Sequence, residues 1–147
     1  MNLIYKISLS FLFVIASNLF PINEESYTFK YKESEFKVNL TNLNDEWNIT
    51  YEISHPFFKL SQDTLFSYTN FIQISEIKRN LIVMGGLRKI EESYEIDHET
   101  KKIKYIKGQL TETLQYDGAI YDDLTAHLYL RLLNIQTDEE ITLNVLE

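Results

Sequence analysis

Trp47-Asn48-Ile49-Thr50-Tyr51-Glu52-Ile53-Ser54-His55 alternates bulky and polar side chains without a break, the longest strict period of two in the chain. Successive side chains of an extended strand point to opposite faces. Trp47, Ile49, Tyr51 and Ile53 therefore share one face, and Asn48, Thr50, Glu52 and Ser54 share the other. A strand of this kind sets one face on a core and the other in water, as in an antiparallel sheet. Upstream, Asn42-Leu43-Asn44-Asp45 offers side chains that bond their own backbone in turns. Before it, Phe36, Val38 and Leu40 alternate with Glu35, Lys37, Asn39 and Thr41. Before a turn at Glu33-Ser34, Tyr27, Phe29 and Tyr31 alternate with Thr28, Lys30 and Lys32. Three antiparallel strands with tight connections are expected from Tyr27 to His55.

Pro56 cannot donate to a ladder and is expected to end the third strand, leaving Phe57, Phe58 and Leu60 as a short buried link or an edge strand. Phe66, Tyr68, Phe71 to Ile77 and Leu81 to Met84 continue the β-rich composition, and Gly85-Gly86 suits a turn with positive φ. Tyr94 and Ile96 alternate with Ser93 and Glu95, Asp97-His98-Glu99-Thr100 reads as a turn, and Ile103, Tyr105 and Leu110 follow. Asp122 to Asn134 is the one helical segment: Asp122 suits an N-cap, and Leu124, Leu128 and Leu132 recur at i, i+4 and i+8. The alternation of Leu124, Ala126, Leu128, Leu130 and Leu132 also satisfies a strand template. After a polar turn at Thr137 to Glu139, Ile141, Leu143 and Val145 begin another strand. Either it pairs back as the last element, or the chain is a piece of a longer protein. The expected fold is mainly β: an antiparallel meander forming a curved, partly open sheet or half-barrel, with one short helix near 122–134.

The N-terminus reads as an export address. A single positive charge at Lys6 precedes an apolar run from Ile7 to Ala16 interrupted only by Ser8 and Ser10. About ten apolar residues match the core of a signal peptide and fall short of the ~20 that span a bilayer as a helix. Val14-Ile15-Ala16 places short side chains for a cut after Ala16, with Ala16-Ser17-Asn18 as a second choice. An uncleaved anchor extended through Leu19 and Phe20 is opposed by Ser17, Asn18 and Pro21. The expected organisation is a signal peptide at 1–16 and a single β-rich domain at 17–147, in the periplasm or secreted, without a transmembrane helix in the mature chain. The chain has no cysteine. A lipid-modified cysteine and disulfides are therefore excluded, and the fold rests on packing.

Without Lys6 the chain carries 22 acidic against 13 basic side chains. That balance repels nucleic acid and anionic headgroups, which need clustered Lys and Arg. The basic runs Lys78-Arg79 and Lys101-Lys102, with Lys104 and Lys107, sit among acids and read as solvated strand faces and turns. No glycine-rich phosphate loop and no dense set of metal ligands is present, so no cofactor is expected.

Asp122, Asp123 and His127 form the minimal constellation with chemical potential. Asp123 and His127 are four apart on the expected helix, and a carboxylate with an imidazole can bind metal or move protons. The same residues have a structural reading, with Asp122 as N-cap and His127 on the surface. Arg131 lies inside an apolar run, where an unpaired guanidinium is costly, so a partner is expected: Asp97, Asp122 or a backbone carbonyl. The pair Asp122 and Arg131 then fixes the fold, the alternative being an arginine that binds an anion in a groove. His55 and His98 accompany no nucleophile motif. The twenty aromatic residues supply core, and can also line a cavity for a lipid or another amphiphile.

Taken in order, Glu46-Trp47 opening a strand, Tyr94-Glu95-Ile96-Asp97 ending one, and the segment Tyr121 to Leu132 resemble a bacterial family of periplasmic proteins, domain of unknown function 3108. In that family a strand ending in Phe-Asp precedes Asp-x-Leu-Ser and Leu-x-Leu-Arg. Asp122, Leu124, Leu130 and Arg131 match, Thr125 stands for the serine, and Ile96-Asp97 stands for Phe-Asp. The resemblance implies an exported, mainly antiparallel β-domain and no activity. It also implies further strands beyond the segment Ile141 to Leu146. The expected function is a non-enzymatic periplasmic or envelope domain that binds an apolar ligand or an envelope protein. The alternatives are a hydrolase or metal-binding protein using Asp122, Asp123 and His127, and a small outer-membrane barrel. Four glycines, a non-aromatic C-terminus and the expected helix speak against the barrel.

Overall fold

The computed structural model describes residues 24–69, 71–132 and 143–146. The expected leader at 1–16, the end of the expected helix at 133–134, the turn at Thr137 to Glu139 and the residue Ile141 lie outside them. Eight strands form one antiparallel meander in sequence order: β1 (Glu24–Tyr31), β2 (Ser34–Asn42), β3 (Trp47–His55), β4 (Phe58–Tyr68), β5 (Ile72–Val83), β6 (Arg88–Asp97), β7 (Lys102–Lys107) and β8 (Leu110–Gln115). The sheet is not closed, with β1 and β8 as its two edges. A short strand β9 (Ile120–Tyr121) leads into helix α1 (Asp123–Leu132), and β10 (Asn144–Val145) pairs with β9 in parallel. The last strand thus joins β9 rather than the large sheet.

The period of two read from β3 sets the face that is buried. Across the sheet, Leu40, Ile49, Thr64, Ile77, Tyr94 and Tyr105 stand in register on one face. Leu124 and Leu128 of α1 belong to the same buried cluster, the i and i+4 pair that the leucine spacing predicts. The opposite face carries Lys37–Glu35, Lys78–Glu76 and Lys104–Glu95 ion pairs in water. Those pairs keep that face soluble and add little stability.

Two elements differ from the sequence reading. Pro56 and Phe57 are a tight connection that leaves His55 opposite Phe58, so β4 is an eleven-residue interior strand and not a link or an edge. Its period is hidden because two of its inward positions, Gln62 and Thr64, are polar. β5 is one twelve-residue strand where the sequence showed two runs. A bulge explains the break. Leu65 pairs with Glu76 and Phe66 with Ile74, so Ser75 has no opposite residue and its Oγ donates to the Leu65 carbonyl at 3.2 Å. The extra residue moves the buried set from Ile72 and Ile74 to Ile77 and onward, which reverses the apparent phase.

Ile77 is fully buried at the centre of the registered row. Ile77→Ala is expected to lower the unfolding free energy in urea by about 2–5 kcal/mol, whereas Lys78→Ala on the other face shifts it by less than about 0.5 kcal/mol. Equal effects would contradict the assigned faces.

Candidate functional site

α1 begins with a reciprocal cap. Asp122 Oδ1 accepts from the Thr125 backbone N–H at 2.7 Å and from Thr125 Oγ1 at 2.5 Å, and the Asp122 N–H donates to Thr125 Oγ1 at 3.0 Å. Thr125 sits three residues into the motif, where the orphan amides of a helix start need an acceptor. The other carboxylate oxygen turns toward the sheet. Asp122 Oδ2 accepts from Gln62 Nε2 at 2.7 Å and from the hydroxyl of Thr64, both on β4. Four donors thus meet one carboxylate that is 0% exposed. A buried carboxylate is tolerated only when its acceptor positions are filled, and here they are.

The network continues along β5. Arg79 Nε donates to Gln62 Oε1 at 2.7 Å, its Nη2 donates to the Leu146 carbonyl at 3.2 Å, and its guanidinium stands 5.5 Å from the Tyr94 ring centre. Leu146 N–H in turn donates to the Tyr121 carbonyl at 2.8 Å. Gln62, Arg79 and Glu92 face one another in register, flanked by Tyr51 and Lys107. Lys107 Nζ bonds Glu92 Oε1 at 2.5 Å, a contact that raises the lysine's proton affinity. A polar band therefore crosses the inner face from β3 to β7.

Beyond the band the inner face becomes apolar again. Phe29, Phe36, Ile53, Leu60, Leu81 and Ile90 stand in register. Phe29 and Phe36 stack at 4.6 Å. Phe36 is 6% and Ile53 4% exposed, and neither belongs to the cluster around α1. The inner face thus has a helix-covered core, a polar band and a second apolar floor.

The sequence-derived residues are placed as follows. Asp122 is the helix cap and is held by Gln62, Thr64 and Thr125. Asp123 is exposed. The side chains of His127 and Arg131 lie outside the described ones, so the expected Asp122–Arg131 pair does too. Asp97 closes its own turn, accepting from Thr100 Oγ1 at 2.7 Å and from the Glu99 and Thr100 amides. The Thr100 hydroxyl and amide hold its carboxyl below the usual range. His98 contacts the Ile74 carbonyl through Nε2 at 2.6 Å. A carbonyl only accepts, so Nε2 carries the proton and Nδ1 receives the Tyr116 hydroxyl at 2.9 Å. Among the described residues no group of three His, Asp or Glu side chains is placed to hold a metal.

Gln62, Thr64 and Arg79 were missed in sequence. Arg79 read as part of a solvated basic pair, yet it shares the parity of Ile77 and Leu81, and that phase was the available signal. Chemically the knot is saturated: every Asp122 acceptor position is occupied. No protein-family model matches the chain, and no curated protein and no solved structure is significantly similar to it.

Burial pushes the phenol of Tyr51 up to about 12, with Asp123 adding to it, and pushes that of Tyr121 up to about 12, with Tyr129 stacked at 5.0 Å. A phenol raised on folding stays neutral in the native state. Its stabilisation is complete below about pH 10, the value in the unfolded chain, and is lost as pH rises through about 12. Urea midpoints are expected to fall between these values, and less steeply in Tyr51→Phe and Tyr121→Phe. An ultraviolet titration in which all tyrosines ionise together near pH 10 would contradict this.

Proposed function

We propose that this chain is an exported, non-enzymatic envelope domain that binds an amphiphile on the inner face of its open sheet. The observation that carries the reading is the second apolar floor beside the polar band. Leu60, Leu81 and Ile90 are only half-buried there, in register with Phe36 and Ile53. An acyl or other apolar chain on the floor would gain burial, while Arg79, Glu92 and Lys107 meet its polar end. The leader at 1–16 and the likeness to the periplasmic family support the location. Saturation of Asp122 removes it from hydrolytic work, which favours binding over the hydrolase alternative. An envelope protein as partner has separate support, because edge strand β8 is exposed at all six positions and offers a ladder for strand addition.

The test is uptake of a fluorescent fatty acid, with solvent extraction and mass spectrometry of protein recovered from envelopes. Leu81→Glu sets a charge on the floor and is expected to weaken uptake by about tenfold or more while the fold, read by circular dichroism, persists. Absence of any bound apolar molecule, with no uptake by the parent chain, would refute the amphiphile reading.

A further inference from the structure

The connections β1–β2, β3–β4 and β5–β6 lie at one end of the meander, and they carry large apolar side chains in water. Phe57 is 64%, Met84 62% and Leu87 85% exposed. The turns are held rather than loose: the Met84 N–H donates to the Phe57 carbonyl at 2.7 Å, tying β3–β4 to β5–β6. Met84, Gly85 and Gly86 adopt φ of 50°, 64° and 107°. A methionine in the left-handed region is disfavoured, and here it belongs to a turn that presents apolar groups outward.

The charge at this end differs from that of the chain. Segments Lys32-Glu33, Pro56-Phe57 and Met84 to Lys89 contain Lys32, Arg88 and Lys89 against one acid, Glu33, and Lys89 also pairs with Glu91 at 2.6 Å on the exposed face. Arg88 is exposed and has no acidic partner among the described residues. The opposite end holds Asp45, Glu46, Asp97, Glu99, Asp117 and Asp123 against Lys101 and Lys102. Much of the net charge of −8 therefore sits away from the tip, and the repulsion of anionic headgroups inferred from composition does not apply locally.

We propose that this turn end is a docking surface for an anionic phospholipid bilayer, with Phe57, Met84 and Leu87 entering the interface and Lys32, Arg88 and Lys89 meeting the headgroups. Exposed apolar side chains rimmed by cations are what such an interface selects, since apolar burial and headgroup attraction add. An acidic or purely polar partner would use the cations and leave three large apolar groups in water. The apolar floor runs up to this end through Phe58 and Val83, so docking would place it beside the lipid. The docking itself does not rest on amphiphile uptake.

The chain has no cysteine, so Leu87→Cys and, at the opposite end, Glu99→Cys in the full chain each accept one environment-sensitive dye. Vesicles of phosphatidylglycerol and phosphatidylcholine are expected to blue-shift the label at 87 and leave that at 99 unmoved. Added Arg88→Glu or Lys89→Glu is expected to weaken partitioning roughly fivefold or more per residue, and high salt to weaken it likewise. Leu81→Glu should weaken fatty-acid uptake as above and keep the response at 87, so failure of either reading is seen separately. The proposal is overturned if the 87 label ignores vesicles or if both labels shift alike, as adsorption through the leader would give. It is also overturned if Arg88→Glu changes nothing, or if only an envelope protein fraction, and not protein-free vesicles, moves the label.

Discussion

A fully buried carboxylate with all its acceptor positions filled is the constraint on which the arrangement of this domain depends. An open sheet with one apolar face must cover that face, and the single helix in the described chain is too short to cover eight strands. Asp122 decides which part is covered. It caps α1 through Thr125 and reaches Gln62 and Thr64 on β4, so the start of the helix is fixed above the middle of the sheet. Removing any one donor strands a buried polar group, which gives the knot directional specificity that leucine packing alone lacks.

The division of the inner face follows. On the helix side lie Ile49, Ile74, Ile77 and Leu128, all almost fully buried. On the other side the Gln62–Arg79–Glu92 band separates them from the floor of Phe36, Ile53 and Leu81. Past the polar band Leu60, Leu81 and Ile90 leave apolar surface half-exposed, which is the surface the proposed binding would use, and the tied turns at its far end expose Phe57, Met84 and Leu87. The proposed function and the proposed docking pole use different residues of one sheet.

Much of the fold was legible. Strict alternation from Tyr27 to His55 predicts β1 to β3, and the leucine spacing with Asp122 predicts the helix and its cap. What escaped was hidden by the same polar groups that organise the site. Gln62 and Thr64 broke the hydrophobic period of β4, and the Ser75 bulge inverted the phase of β5, so two long central strands looked like fragments. Arg79 looked solvated because its neighbour Lys78 is; only the strand's parity distinguishes them. Asp122 was identified as a cap, but its sheet partners are 58 and 60 residues away in sequence, and no local pattern announces a contact at that range.

The most direct measurement of the central claim is a double-mutant cycle in urea between Asp122→Ala and Thr64→Val. Coupling through the buried carboxylate predicts an interaction energy of about 1–3 kcal/mol, the range for residues sharing a hydrogen-bond network. Additive effects, with the two substitutions acting independently, would contradict the claim that this contact fixes the helix to the sheet.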